Sequence, residues 1–208
     1  EAASYNFDFE KFWRKTAADI ETTVGKAVPH KKDSLPRDPR APCNIAVGKR
    51  LCQQARPDWG SATVLVPWFS YVHYGDTSII RNSWTVMINW MAYLDEIVVK
   101  DGIITHGYGD WCPPGSNKVM DTPPSLTSTA LYYQSLIAMQ KMALIMNADA
   151  ASLEYGKKAI LVKQAFNKKF FKEAGNSYGS QTGNAFALYS GLVPVGKEQA
   201  VADRLADF

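Results

Sequence analysis

Long apolar runs are missing from this chain. No stretch approaches the roughly 18 consecutive apolar residues that a membrane-spanning helix needs, so no span is expected. Cysteine is scarce. Cys43, Cys52 and Cys112 leave one thiol over in any pairing, and a Cys43–Cys52 disulfide is open to an oxidising compartment. Histidine is scarcer in effect, because His30, His73 and His106 do not fall at ligand spacing from the cysteines. No structural metal and no cofactor are therefore expected. Basic residues are not concentrated either. The net charge is +3, with Lys31-Lys32, Lys157-Lys158 and Lys168-Lys169 as doublets, which suits a solvated face better than a nucleic-acid surface. Glu1-Ala2-Ala3-Ser4 does not read as a signal peptide. A bacterial periplasmic or secreted location is slightly favoured over the cytoplasm.

What is present is a globular composition: 208 residues, 46% hydrophobic and 21% charged. That length suits one domain, 1–208, or part of a larger one. Apolar positions repeat at three and four residues along most of it, the period of helices. Phe9, Phe12, Trp13, Ala17, Ile20 and Val24 predict a first helix, with Asn6 or Asp8 to cap it and Gly25 to end it. Residues 26–57, holding Pro29, Pro36, Pro39, Pro42 and Pro57, predict a long irregular loop that is either a cleft wall or an insert. Val64 to Val72 predict a second helix, with Pro67 near its first turn. A third runs from Thr77 to Val99, apolar on more than one face and so expected between two layers. Further helices are predicted over Ser125–Met146 and Ala150–Phe171, with Leu153, Ile160, Phe166 and Phe170 inward. A short one spans Asn184–Tyr189, and the last starts near Lys197. About seven antiparallel helices joined by alternating long and short loops point to an all-α, α/α toroid. Seven are just over half of a twelve-helix ring, so the ring would be partial. Its open apolar faces predict either self-association or further parent segments.

The chemistry gathers at Ile104-Thr105-His106-Gly107-Tyr108-Gly109-Asp110-Trp111. Gly-Asp-Trp sets a carboxylate beside a large aromatic face on a backbone freed by glycine. A carboxylate accepts from sugar hydroxyls, and an indole stacks on a ring's C–H face. The ordinary alternative is a buried Trp beside a capping Asp. Asp58-Trp59 is a second acid–aromatic pair, at a loop-to-helix junction where function concentrates. Trp13, Trp84 and Trp90 lie on helix stripes and are assigned to packing.

In order, Asp58-Trp59-Gly60-Ser61-Ala62, Val66-Pro67-Trp68, Tyr74-Gly75-Asp76, Met87 to Leu94, Tyr108-Gly109-Asp110-Trp111, Ala165 to Phe170 and Gln181 to Leu188 resemble the mid-region of bacterial and fungal α-L-rhamnosidases. The resemblance covers nearly the whole chain from Phe7 onward, and the order of the motifs carries it. It implies a six-hairpin, (α/α)6 catalytic barrel that removes terminal α-L-rhamnose from glycans or glycosides with inversion. That chemistry takes two carboxyl groups about 6.5–9.5 Å apart. In the family both are glutamates, one upstream and one downstream of the matched region. No catalytic residue is therefore expected within this chain, which should supply part of a sugar-binding shell and be inactive alone. Trp59, Asp110 and Trp111 carry over as sugar-binding residues, with Asp58 beside them. Ser61 stands where the family usually has Asp, a departure at one hydroxyl-binding contact.

Two further readings stay open on the residues themselves. In another α/α-toroid glycan hydrolase or lyase, Asp110 would be the general acid or base, partnered by Asp58 or Asp121. In a non-catalytic helical carbohydrate-binding scaffold the tryptophans would be core, and Trp59 and Trp111 would be buried.

Overall fold

The computed structural model describes residues 8–26, 38–43, 54–110 and 121–206. Among them are the helices α1 (Glu10–Thr23), α2 (Pro57–Gly60), α3 (Ala62–Tyr74), α4 (Thr77–Tyr93), α5 (Pro124–Ile145), α6 (Asp149–Phe170), α7 (Gln181–Tyr189) and α8 (Glu198–Ala206). Two short strands, β1 (Val99–Lys100) and β2 (Ile103–Ile104), pair antiparallel across a turn at Asp101 and Gly102, both of positive φ.

The helices form successive hairpins. α3 packs on α4, α5 on α6 and α7 on α8, while α1 lies against α3 and α4. Across hairpins, α5 touches both α3 and α7. The alternate helices α3, α5 and α7 thus make one layer, backed by α4, α6 and α8, which is the wall of an α/α toroid. The larger core is built around Trp13, Ile20, Val64, Ile80, Met87, Trp90, Tyr93, Leu136, Met139 and Tyr155. A second core joins Leu126, Phe166, Tyr178, Leu192 and Val201 where α5, α6, α7 and α8 meet.

Local chemistry accounts for the helix ends. Asp8 accepts from the amide of Glu10 at 3.1 Å, and Asp76 from that of Ser78 at 2.9 Å. Gly25, Gly75 and Gly191 take the left-handed conformation that stops α1, α3 and α7. Pro67 lies in the second turn of α3, deeper than the expected first turn, because the helix starts at Ala62.

Several expectations are corrected. α4 was expected to lie between two layers. Instead Arg81, Asn82, Thr85 and Ile88 face outward, and α5 is the enclosed helix, with five consecutive buried residues from Leu126 to Ala130. α4 also ends at Tyr93 rather than Val99. A π-turn, Leu94–Val98, follows it, and the β-branched residues beyond run into the strand pair. On α6, Leu153 and Ile160 are 66% and 60% exposed instead of inward. The buried stripe is Ser152, Tyr155, Ala159, Val162 and Phe166, so Phe166 is inward as expected while Ser152 and Ala159, one residue before Leu153 and Ile160, take their places. The loop expected over 26–57 ends one residue earlier, since Pro57 opens α2. Its described parts are packed: Ala41 and Gln54 are fully buried, and Cys43 bridges to Gln54. Cys43 is disulfide-bonded; Cys52, its expected partner, lies outside the described residues.

Gly60 illustrates how tightly α2 is seated. A Cβ there would stand 2.3 Å from the ring of Trp90, which is fully buried and stacked on Tyr93 at 5.3 Å. Gly60→Ala is expected to destabilise the chain by about 1–3 kcal/mol through overpacking, measured as a shift in the urea midpoint at unchanged slope. An unshifted midpoint would contradict this packing.

Candidate functional site

Three helices start at the same end of the wall, and their lead-in segments are tied together there. Asp58 is the second residue of α2. Its Oδ2 accepts from the backbone N–H of Tyr108 at 2.9 Å and from Ser128 Oγ at 3.3 Å, and its Oδ1 accepts from Thr127 Oγ1 at 3.3 Å. Thr127 and Ser128 lie in the first turns of α5. The N–H of Asp110 donates to the carbonyl of Thr122 at 3.2 Å, and Thr122 Oγ1 lies 2.6 Å from Ser180 Oγ. Ser180 caps α7 by accepting from the N–H of Gly183, and Thr182 donates to Asp110 Oδ2 at 3.4 Å. The starts of α2, α5 and α7 therefore converge on residues 104–110.

Glycine makes this approach possible at two positions. A Cβ on Gly107 would stand 2.1 Å from Ser128 Oγ, 2.8 Å from Asp58 Oδ2 and 3.3 Å from the Pro124 carbonyl. Gly109, at φ +67°, turns the chain so that Asp110 reaches Thr122. Arg56, one residue before α2, stacks its guanidinium 4.7 Å from the ring centre of Tyr108. Tyr108 is thus held by its backbone on one side and by its ring on the other.

Trp59 follows Asp58 directly and is 43% exposed, while Asp110 is partly buried. Each lies within two residues of the Asp58–Tyr108 hydrogen bond, so the two acid–aromatic stretches share one end of the molecule. Trp111 lies outside the described residues. Asp121 is exposed, and Ser61 is buried at 1% exposure instead of presenting its hydroxyl at the opening. Among the described residues no group of three or more His, Cys, Asp or Glu is arranged to hold a metal ion. None of the described helices is long and apolar enough to cross a membrane.

The hydroxyl cluster of Thr122, Thr127, Ser128, Ser180 and Thr182, and the stacking of Arg56, went unnoticed in sequence. A signal existed in Thr127-Ser128-Thr129, three small hydroxyls in a row on a helix too short of charge to be a surface.

The paired helices, with helix starts gathered at one rim, are those of a six-hairpin α/α glycosidase. The family model described as the bacterial alpha-L-rhamnosidase 6 hairpin glycosidase domain matches residues 1–208. The chain belongs to this family. An alpha-L-rhamnosidase of Formosa agariphila is 34% identical over 203 residues, 93% of this chain and 21% of that protein. One from Streptomyces avermitilis is 31% identical over 71% of this chain and 14% of its own length. The solved structure of alpha-L-rhamnosidase from Dictyoglumus thermophilum superposes with a TM-score of 0.81 at 29% identity, covering 98% of this chain and 22% of that one. The chain thus spans between about a seventh and a fifth of the length of these relatives.

Burial pushes the Asp58 carboxyl above the ordinary value of 3.8, against the pull of its hydrogen bonds from Tyr108, Thr127 and Ser128. A carboxyl raised in the folded state takes up its proton more readily there than in the unfolded chain. Its contribution to stability is full below 3.8 and lost as pH rises through the raised value. Asp58→Asn removes that term. The variant's stability, from urea melts stepped upward from pH 4, is expected to fall less steeply with pH than the parent's; parallel curves would contradict the burial of this charge.

Proposed function

We propose that this chain forms part of the rhamnose-binding shell of an α-L-rhamnosidase, in a larger protein that removes terminal α-L-rhamnose from glycans or glycosides with inversion. The observation that carries the reading is that Trp59 and Asp110 each lie within two residues of the Asp58–Tyr108 hydrogen bond, with Trp59 43% exposed. Asp110 is held from two sides, by Thr122 through its N–H and by Thr182 at its carboxylate. One of its oxygens is engaged by a neutral hydroxyl only, which leaves acceptor capacity for a ligand's hydroxyls. Trp59, next to Asp58 in sequence and half in solvent, offers the apolar face on which a deoxysugar ring stacks. Trp111, next in sequence to Asp110, is assigned the same role by the family resemblance. The solved Streptomyces avermitilis alpha-L-rhamnosidase is a complex with L-rhamnose, and it shares this fold at a TM-score of 0.71.

Inversion takes an acid and a base carboxyl on opposite sides of the glycosidic bond. Asp58 has its oxygens turned to protein donors, and Asp110 sits against Thr182, so neither has the surroundings of a free acid–base pair. Binding, rather than bond cleavage, is the part assigned to this chain. The exposed apolar residues Leu144, Leu153, Ile160, Leu161 and Val195 are faces for the rest of the parent protein or for a second copy.

The chain is expected to bind L-rhamnose in titration calorimetry, with affinity reduced about tenfold or more in both Trp59→Ala and Asp110→Asn, on the scale of losing one good polar or stacking contact. It is expected to release no rhamnose from an aryl α-L-rhamnoside. Release that disappears in Asp110→Asn would make Asp110 catalytic and overturn this assignment.

A further inference from the structure

We infer that Asp58 acts as a positioning residue, which seats the loop 105–110 on the first turns of α5, and does not itself touch the sugar; this rests on reading the rim as a rhamnose site. A carboxylate offers about four acceptor directions. Three are taken, by the Tyr108 N–H, Ser128 Oγ and Thr127 Oγ1. These donors come from two segments that are 50 and 70 residues away in sequence, so the carboxylate joins elements that nothing local would hold together. Its burial strengthens each of those hydrogen bonds and makes each one costly to leave unmade.

Besides the contacts of Asp110 with Thr122 and Thr182 and of Tyr108 with Arg56, the chain leading into the loop is attached to the same helix. The N–H of Ile104 donates to Thr129 Oγ1 at 3.0 Å. Further along α5, the buried hydroxyl of Tyr132 donates to Asp95 in the π-turn, and Asp95 also meets Lys158 Nζ at 2.5 Å. Hydroxyl side chains at 132 and 129 of α5 therefore hold residues 95 and 104, and those at 128 and 127 hold Asp58, which in turn holds Tyr108. A helix advances about 1.5 Å per residue, so these anchor points span only about one and a half turns. Asp58 is the last link before Gly109 turns the chain to Asp110. Without it, the N–H of Tyr108 and the hydroxyl of Ser128 lose their acceptor, and Thr127 keeps only the Pro124 carbonyl, where Gly107 leaves no slack for repacking. The position of Asp110, and so its hold on a sugar, depends on Asp58 through two residues of backbone.

Amide hydrogen exchange on the 208-residue chain, paired with L-rhamnose titration, tests this. Asp58→Ala is expected to speed exchange at Tyr108 by roughly tenfold or more, the scale of losing a hydrogen bond to a charged group, while α4 and α6 exchange as in the parent. Asp58→Asn, which keeps one acceptor oxygen, is expected to restore most of the protection. Gly107→Ala, which touches no sugar contact, is expected to loosen the same amide and to weaken rhamnose binding by a factor similar to that of Asp58→Ala. If the Tyr108 amide keeps its protection in Asp58→Ala while rhamnose affinity falls as far as in Asp110→Asn, Asp58 contacts the sugar and the inference is overturned. If the parent binds no rhamnose and the loop still loosens, the positioning role stands and the rhamnose reading fails. Should Asp58→Ala unfold, Gly107→Ala and Ser128→Ala decide the matter: a loosened Tyr108 supports the role, and a protected one overturns it.

Discussion

A half-buried carboxylate whose hydrogen bonds come from inside the protein organises this rim. Asp58 lies at the start of a one-turn helix, and its partners sit on α5 and on the loop after β2. Charge is poorly tolerated away from water unless it is satisfied by donors. The low-energy solution is to bring those two segments to Asp58. Everything specific to the site follows from that closeness: the need for glycine at 107, the turn at 109, and the presentation of Asp110 to Thr182.

The cost of such an arrangement is spread over elements that are rigid for other reasons. α5 is packed by α3 and α7 within its own layer and by α6 behind, and every residue from Leu126 to Ala130 is buried. Its hydroxyls at 127–129 are therefore at fixed positions before any loop arrives. Trp90, stacked on Tyr93 and pressed against Gly60, fixes α2 on the other flank. The site lies between two anchored helix starts, so a short polar stretch holds its shape without a regular structure of its own. This is how a loop carries recognition on a helical wall.

The relation to known alpha-L-rhamnosidases sits comfortably with this construction. A fifth or less of such a protein, its described helices being three hairpins and the two helices before them, already contains this convergence of helix starts. Leu144 on α5 and Ile160 on α6 are apolar residues left in water.

Local sequence determined the helices and most of their ends. Period, capping by Asp8 and Asp76, and left-handed glycines at 25, 75 and 191 act within a few residues, so they are legible one stretch at a time. The alternation of long and short loops carried the toroid, and Gly109-Asp110 together with Asp58-Trp59 carried the choice of candidate site. Tertiary structure alone decided which helix is enclosed. α4 and α5 are both rich in apolar residues, and only their neighbours settle that α5 buries every residue from Leu126 to Ala130 while α4 keeps Arg81 and Thr85 in water. It also decided that Leu153 and Ile160 face outward, since apolar character does not say which of two adjacent stripes meets a partner. The pairing of Asp58 with Tyr108, fifty residues on, is of the same kind: a hydrogen bond between distant segments has no period and no local signature, and it exists only once packing has set α2 beside α5.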